Sequence, residues 1–271
     1  MRTVFFVSDG TAITAETLGQ SLLAQFKNTN IREVVVPYVD TLQKAEELIG
    51  QIHDAGAEES LRPIVFSTLA QAQIRERILG CNALVLDLFR VFLHPLQEEL
   101  QAKPLQRTGL FHHIEDMDKY ESRINAVNFT LLHDDGAFTK QYDQADLILI
   151  GVSRCGKTPT CLYLALKFGL RVANYPFTDE DLAKEALPKT LQPYVNKLYG
   201  LTTLPERLQK IRAQRRPGSR YASLAQCRYE LRAVEHLFIA IHIPFLNTST
   251  RSVEEIATKI ARDRTLQRRY V

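Results

Sequence analysis

Short apolar runs alternate with longer amphipathic segments through the first hundred residues. Runs rich in branched and aromatic side chains predict four β-strands, at residues 3–7, 33–39, 63–67 and 83–89. Apolar residues at helical spacing predict four helices, at residues 15–26, 42–53, 70–79 and 91–101. Strands that alternate with helices of this length are typical of a parallel sheet with right-handed crossovers. We therefore expect a first α/β domain at residues 1–105, with target recognition as its candidate role.

The same alternation returns in residues 130–271. Apolar runs predict further strands at 147–150, 171–176 and 243–247, and helical spacing predicts helices after residue 158, at 205–216 and at 221–241. Two N-terminal capping boxes are predicted, at Thr178 with Asp181 and at Ser252 with Glu255. The segment 188–203 contains two prolines and Gly200, and the pattern predicts no regular element there. These elements predict a second α/β domain with a parallel sheet.

Residues 106–129 are predicted to join the two domains. The stretch 103–115 contains proline and glycine and has no periodicity, which indicates a linker, and residues 116–128 indicate a connecting helix. His112 and His113 could bind a metal, but adjacent side chains point in different directions on a helix or a strand. We therefore interpret them as an exposed linker pair.

Composition excludes several classes of function. The chain of 271 residues is 45% hydrophobic and 24% charged, as in ordinary globular proteins, and its formal charge of +3 is too small to indicate a nucleic-acid or membrane partner. No apolar run has the length of a membrane span, and the N-terminus lacks a signal-peptide pattern. The four cysteines show neither paired nor zinc-binding spacing, so we expect a reduced, cytoplasmic protein.

The strongest chemical signal lies in residues 146–160, DLILIGVSRCGKTPT. A buried-strand pattern runs directly into Gly151-x-x-x-x-Gly156-Lys157-Thr158 and then into a helical pattern, which is the context of a phosphate-binding loop (P-loop). Glycines allow backbone N–H groups to converge on an anion, the helix N-terminus and Lys157 add positive charge, and Thr158 could ligate Mg²⁺. The candidate binding residues are Gly151, Val152, Ser153, Arg154, Cys155, Gly156, Lys157 and Thr158.

Two adjacent carboxylates precede this loop in His133-Asp134-Asp135-Gly136. One carboxylate could accept a proton from an attacking hydroxyl while the other helps to hold a metal ion. An ordinary Asp-Gly turn explains the same letters. The sequence alone does not bring these carboxylates near Lys157.

Three further features have alternative interpretations. The turn 8–11 (SDGT) follows the first strand, where ligands of parallel sheets bind, but an Asp-Gly turn with a capping hydroxyl fits equally. The strand ending at Asp87 resembles a magnesium-binding strand, and we favour a plain buried strand because it lies in the other domain. The basic helix 205–216 could close over a phosphoryl group or form a solvated face.

Seven segments together resemble one protein family. They are SDGTAITAETLG, HDDG, GVSRCGKTP, ANYPF, PERLQKIR, SRYASLAQCR and STRSVEEIATKI, in that order and over nearly the whole chain. The chain resembles the phosphoenolpyruvate synthase regulatory proteins, which are related to the pyruvate,phosphate dikinase regulatory proteins. This resemblance implies a kinase-like C-terminal domain that carries the P-loop.

The resemblance further implies a bifunctional, homodimeric enzyme. It would transfer phosphate from ADP to a threonine of phosphoenolpyruvate synthase, and it would remove that phosphate with inorganic phosphate as acceptor and pyrophosphate as product. The family's loop lysine falls on Lys157 and its proton-handling aspartate on Asp135. The dikinase-regulating branch often has a lysine three positions before that aspartate, where this chain has Leu132. Its charge would then come from elsewhere, for example from the arginines of 207–220.

Two other functions stay open at this stage. A small-molecule kinase with an arginine-bearing lid would share the loop, but it would not need a whole N-terminal α/β domain. A non-catalytic nucleotide-sensing module would also share the loop. Asp135 discriminates between catalysis and sensing, because only catalysis needs a proton acceptor.

Overall fold

The computed structural model describes residues 1–105 and 117–266. The chain divides into two compact units, Met1–His113 and Ile114–Val271. Each unit contains a four-stranded sheet in which all strands are parallel, which confirms the predicted α/β class with two parallel sheets. Most of the predicted linker, with His112 and His113, lies outside the described residues.

The described part of the first unit, residues 1–105, contains four strands and four helices in strict alternation. In chain order they are β1 (Arg2–Val7), α1 (Ile13–Leu23), β2 (Ile31–Val36), α2 (Leu42–Glu59), β3 (Ile64–Ser67), α3 (Ala72–Leu79), β4 (Leu84–Asp87) and α4 (Leu88–Leu100). The strand order is β2-β1-β3-β4. The structure confirms the eight predicted elements and moves their ends by a few residues.

The central strand β1 has both faces buried. Phe5 and Val7 pack with α2 and α3 residues in one apolar cluster, whereas Val4 and Phe6 belong to a second cluster on the other face of the sheet. Because side chains alternate along a strand, this continuous apolar run requires helices on both faces.

The carboxylates of Asp9, after β1, and Asp87, at the end of β4, accept hydrogen bonds from backbone N–H groups near helix starts. The Asp9 carboxylate accepts hydrogen bonds from the backbone N–H groups of Ala70 (2.8 Å) and Gln71 (3.3 Å), next to the start of α3. Asp87 accepts from the N–H of Arg90 at 3.0 Å and so caps α4. These contacts favour a structural role for both carboxylates, since they satisfy backbone N–H groups. The capping hydroxyl expected in the turn 8–11 is not found, because α1 begins after Ala12 without a side-chain cap.

Residues 117–266 of the second unit form ten α-helices and strands, besides short 3₁₀ turns. They are α5 (Met117–Leu132), β5 (Leu147–Gly151), α6 (Lys157–Phe168), β6 (Val172–Pro176), α7 (Asp179–Ala183), β7 (Leu198–Thr202), α8 (Pro205–Arg215), α9 (Leu224–Ala240), β8 (Phe245–Asn247) and α10 (Val253–Asp263). The strand order is β6-β5-β7-β8, so β5 lies between β6 and β7. Both predicted capping boxes, at Thr178 and Ser252, are present.

The prediction of no regular element at 188–203 is wrong, because residues Leu198–Thr202 form strand β7. All five of its residues are buried, and it pairs directly with β5. Its glycine, Gly200, is required by packing: a β-carbon there would lie 2.6 Å from a ring atom of Phe238 and 2.7 Å from Cβ of Phe245. In the sequence, Gly200 indicates a break in regular structure. In the fold, it allows β7 to pack closely against Phe238 and Phe245.

Two helix boundaries also differ from the prediction. The connecting helix was expected to end at residue 128, but α5 continues to Leu132, directly before the acidic pair. The long helix expected at 221–241 begins only at Leu224, after a short 3₁₀ turn, where the Ser223 hydroxyl accepts a hydrogen bond from the Gln226 N–H. Within the described residues, no helix is long and apolar enough to cross a bilayer.

Candidate functional site

A glycine-bounded loop, residues 151–158, joins β5 to α6 in the second unit. Gly151 has φ +154° and Gly156, the residue before α6, has φ +96°; both values favour glycine. A methyl group on Gly151 would also overlap the carbonyl oxygen of Leu201 in β7. The two glycines thus allow the loop to turn tightly against β7.

A threonine that follows the edge strand β8 holds the backbone of the loop by a hydrogen bond. Thr248, which follows β8, donates its hydroxyl proton at 3.1 Å to either of two carbonyl oxygens, those of Cys155 and Thr202. Thr248 is buried. The loop backbone is therefore fixed to the ends of β7 and β8 as well as to its own strand.

Lys157 is the first residue of α6 and is only 3% exposed. Its ammonium group donates a hydrogen bond to the Val152 carbonyl at 2.9 Å. Among the described residues, no carboxylate forms a salt bridge with Lys157. A buried ammonium without an anionic partner is costly, so this site electrostatically favours a bound anion.

The tertiary structure places the acidic pair beside the loop. The Thr158 hydroxyl donates to Asp134 Oδ1 at 2.9 Å, and the same oxygen accepts from the Asn174 amide. Asn174 is 1% exposed and lies in β6. Its side-chain amide oxygen, Oδ1, accepts from the Asp135 N–H at 3.1 Å. One asparagine therefore orients both aspartates relative to the loop.

The residue Asp135 has a left-handed backbone conformation, φ 50° and ψ 28°. Aspartate tolerates this region better than most residues. His133, two residues before Asp135, is fully buried and stacks on Phe129 with ring centroids 3.9 Å apart. Its Nδ1 atom lies 2.6 Å from the Phe129 carbonyl oxygen. The side chain of Asp135 is exposed, whereas its backbone N–H is held by Asn174.

The loop and Asp135 line one cavity of about 220 Å³, which we call the loop cavity. Its lining residues are Asp135, Ser153, Arg154, Gly156, Lys157, Thr158, Pro159, Ile211 and Arg215. Six of the nine predicted site residues therefore meet in one cavity. The other three, Gly151, Val152 and Cys155, are buried in the base of the loop.

Arg212 of the basic helix α8 has a structural role that differs from both expected roles of this helix. Arg212 is fully buried, donates two hydrogen bonds to Glu230 (3.0 and 2.6 Å), and donates a third to the Ser153 carbonyl at 3.1 Å. Burial of the guanidinium opposes its charge, but the hydrogen bond and charge of Glu230 outweigh burial and raise the pKa of Arg212. Neither a solvated face nor a phosphoryl clamp describes Arg212, which connects α8 and α9 to the loop.

A second cavity, of about 210 Å³, adjoins the loop cavity. It is lined by Ser153, Arg215, Arg216 and Tyr221, and we call it the arginine cavity. Ser153 and Arg215 line both cavities. The Tyr221 hydroxyl lies 3.0 Å from Ser153 Oγ, and its ring stacks under the Arg212 guanidinium at 4.1 Å.

Cysteine chemistry is disfavoured in this site. Burial raises the pKa of the Cys155 thiol, against the opposing positive charge of Lys157. All four cysteines are buried and unpaired, in agreement with the absence of disulfide spacing. A neutral thiol is a poor nucleophile, so Cys155 serves as packing beneath the loop.

Several residues of this site were not found from the sequence. Asn174, Tyr221 and Thr248 are not among the predicted site residues, and Arg212 is predicted only as one of the arginines of 207–220, although each contacts the loop or the acidic pair. Asn174 offered one signal, a polar residue in the middle of a buried strand. No group of three or more potential metal-ligating side chains occurs among the described residues.

Comparisons with known proteins identify the family. Residues 4–261 match the model of the family described as kinase/pyrophosphorylase. A protein of Stutzerimonas stutzeri (strain A1501) is 51% identical over 99% of this chain and 98% of its own length, and one of Pseudomonas putida (strain W619) is 51% identical over 99% of both chains. Both carry the provisional name of phosphoenolpyruvate synthase regulatory protein. The two α/β units of the chain, each with a parallel sheet, agree with the match to this family. The chain belongs to the kinase/pyrophosphorylase family, because the match covers nearly its whole length.

Proposed function

We propose that this chain is a bifunctional regulatory enzyme of phosphoenolpyruvate synthase. In one direction it transfers the β-phosphoryl group of ADP to a threonine of that enzyme, and in the other it transfers the group from phosphothreonine to inorganic phosphate, which forms pyrophosphate. The names of the relatives support the target, and the kinase/pyrophosphorylase family supports the two reaction types.

The observation that carries this proposal is the pairing of Lys157 and Asp135 in one cavity. A buried ammonium on a glycine loop attracts a phosphate, and an exposed carboxylate at the same cavity can take a proton from an incoming hydroxyl. A pure nucleotide sensor would need the first group and not the second.

In the kinase direction, the threonine oxygen attacks the β-phosphorus of ADP and its proton passes to Asp135. The bond to the bridging oxygen breaks, and AMP leaves with the electron pair. Lys157 and the loop N–H groups, supported by the N-terminus of α6, neutralise the charge on the phosphate oxygens.

In the phosphorylase direction, an oxygen of inorganic phosphate attacks the phosphorus of phosphothreonine. The bond to the threonine oxygen breaks, and that oxygen recovers a proton from Asp135. The same carboxylate thus acts as base in one direction and as acid in the other. One loop serves both directions, because ADP and pyrophosphate share a diphosphate group.

Magnesium is proposed as the cofactor, held by Thr158 and Asp134. Their oxygens lie 2.9 Å apart, and a hydroxyl with one carboxylate is a typical protein contribution to a Mg²⁺ site that is completed by phosphates and water. Bound there, the ion would neutralise phosphate charge. We further propose that the enzyme is a cytoplasmic homodimer.

The test mixes purified chain, β-labelled ADP and phosphoenolpyruvate synthase, and then adds phosphate. Label should enter a threonine of the target and afterwards leave as pyrophosphate. Lys157→Ala should weaken ADP binding and stop both reactions, since the chain contains one glycine loop of this kind. Loss of one direction alone would indicate two separate sites, and label transfer from ATP instead of ADP would contradict the donor.

A further inference from the structure

The arginine cavity adjoins the loop cavity at Ser153 and Arg215, and Asp135 does not line it. Asp135 is held by Asn174 of β6, whereas Arg215 and Arg216 lie at the C-terminal end of α8, the helix that follows β7. Strands β6 and β7 flank β5 on opposite sides. Asp135 and Arg215 both line the loop cavity, but only Arg215 continues into the arginine cavity, where Arg216 joins it and Asp135 has no part.

Phosphoryl transfer constrains what can occupy each side. The attacking and leaving oxygens lie roughly in line on opposite sides of the phosphorus. In the kinase direction the attacking hydroxyl must reach Asp135, which lines the loop cavity and does not line the arginine cavity. The leaving group must then depart away from Asp135, and the arginine cavity, which meets the loop cavity at Ser153 and Arg215 and is not lined by Asp135, can receive it.

We propose that the arginine cavity is the subsite for the phosphate on the leaving-group side. In the kinase direction this phosphate is the α-phosphate of ADP, and in the phosphorylase direction it is the attacking inorganic phosphate. The proposal rests on the proposed function and adds the position and the ligands of this second phosphate. Arg216 and Arg215 supply its positive charge.

The charge pattern of α8 and the adjoining turn supports this assignment. Arg212 is committed to Glu230, Arg207 donates to the Ser249 carbonyl, and Arg220 donates to Gln226. Arg215 and Arg216 line the cavities and have no carboxylate partner among the described residues. Guanidinium groups match phosphate oxygens in geometry and in charge.

Contacts of Arg212 and Tyr221 fix the position of the arginine cavity relative to the loop. Arg212 stacks on Tyr221 and donates to the Ser153 carbonyl, while the Tyr221 hydroxyl pairs with Ser153 Oγ. The floor of the arginine cavity is thereby tied to the backbone of the glycine loop. A phosphate in this cavity would thus keep a fixed distance from a phosphate in the loop cavity.

The test compares Arg216→Ala with Arg216→Lys and with Lys210→Ala. Lys210 is an exposed cation on the same helix that lines neither cavity, so its variant controls for overall charge. Arg216→Ala should raise the KM for ADP and the KM for inorganic phosphate together, each about tenfold, and leave the KM for the protein substrate unchanged. Arg216→Lys should recover part of both effects, and Lys210→Ala should behave like the parent chain.

Other results separate this proposal from the proposed function. A rise in the KM for the protein substrate alone would assign the cavity to the target, and unchanged constants for ADP and phosphate would overturn the subsite. If the parent chain showed no transfer at all, the proposed function would fail first. Calorimetry would then still test the subsite: AMP and inorganic phosphate should compete with each other, and Arg216→Ala should weaken both.

Discussion

The two oppositely charged residues that define the loop cavity differ in how they are held. Lys157 is buried at the start of α6 and is fixed by its own loop through the Val152 carbonyl. Asp135 is exposed, and only its backbone is fixed, through Asn174. The loop cavity therefore combines a buried cation, Lys157, with an exposed carboxylate, Asp135, that can exchange a proton.

This difference predicts separate effects of substitution. Asp135→Asn keeps the shape of the side chain but removes its basicity, so kcat in both directions should fall by a factor of about 10²–10⁴. ADP binding should stay close to that of the parent chain, because the loop and Lys157 are intact. Asp143→Asn, an exposed acid outside the cavity, is the matched control in the transfer assay. Full activity of Asp135→Asn would refute the role of this carboxylate.

Gly151 predicts a structural effect at the same scale. Gly151→Ala introduces a methyl group against the Leu201 carbonyl at a φ of +154°, and we expect it to lower the free energy of unfolding by about 2–4 kcal/mol. Gly50→Ala is the contrasting control, since Gly50 lies in the exposed part of α2 with no atom near its added methyl group. That variant should gain about 0.5–1 kcal/mol. Urea unfolding measures both, and equal stabilities would contradict the close contact.

At the scale of elements, the buried ion pair between α8 and α9 couples the helices to the loop. Arg212→Met leaves Glu230 buried without its cation and should destabilise the protein by about 3–5 kcal/mol. The double variant with Glu230→Leu should recover much of that loss, because no unpaired charge then remains. Arg228→Ala, which breaks an exposed pair with Glu206, should change stability little. A double variant no more stable than Arg212→Met would show that the arginine acts mainly through the Ser153 carbonyl.

Strand β6 and helix α7 provide a pH-dependent contact. Burial, and then the hydrogen bond and negative charge of Asp181, raise the pKa of Tyr175 to about 12, above the value of 10.0 for a free tyrosine. The folded protein therefore retains the phenolic proton that the unfolded chain loses, and the stability from this contact is present below pH 10 and falls as the pH rises toward 12. Tyr175→Phe should flatten this decline in urea unfolding measured between pH 9 and 11. An unchanged slope would show that other tyrosines dominate.

At the scale of the whole molecule, each unit has its own sheet and its own apolar core. A chain that begins at residue 114 should therefore fold and bind ADP, but it should not phosphorylate phosphoenolpyruvate synthase if the first unit recognises the target. Circular dichroism checks folding, calorimetry checks binding, and the label assay checks transfer. The same fragment with Lys157→Ala is the binding control. Transfer to the target at the parent rate would exclude target recognition by the first unit.

The sequence pattern predicted most elements and both capping boxes, because these depend on neighbours within a few residues. It failed at β7 for an identifiable reason. Gly200 and the preceding prolines are local signals of a break, and only the rings of Phe238 and Phe245 in contact with the strand explain the glycine. A packing partner about 40 residues away leaves no mark in local periodicity.

The sequence by itself determined the α/β class, the position of the glycine loop and the residues most suited to phosphate and proton chemistry, since each follows from short-range order in the chain. The tertiary structure alone decided that Asp135 and Lys157 share a cavity, that Arg212 is buried against Glu230, and that Arg215 and Arg216 line an adjoining cavity that Asp135 does not line. These relations depend on the order β6-β5-β7-β8. Strand order arises from the packing of elements far apart in the chain, and no local pattern specifies it.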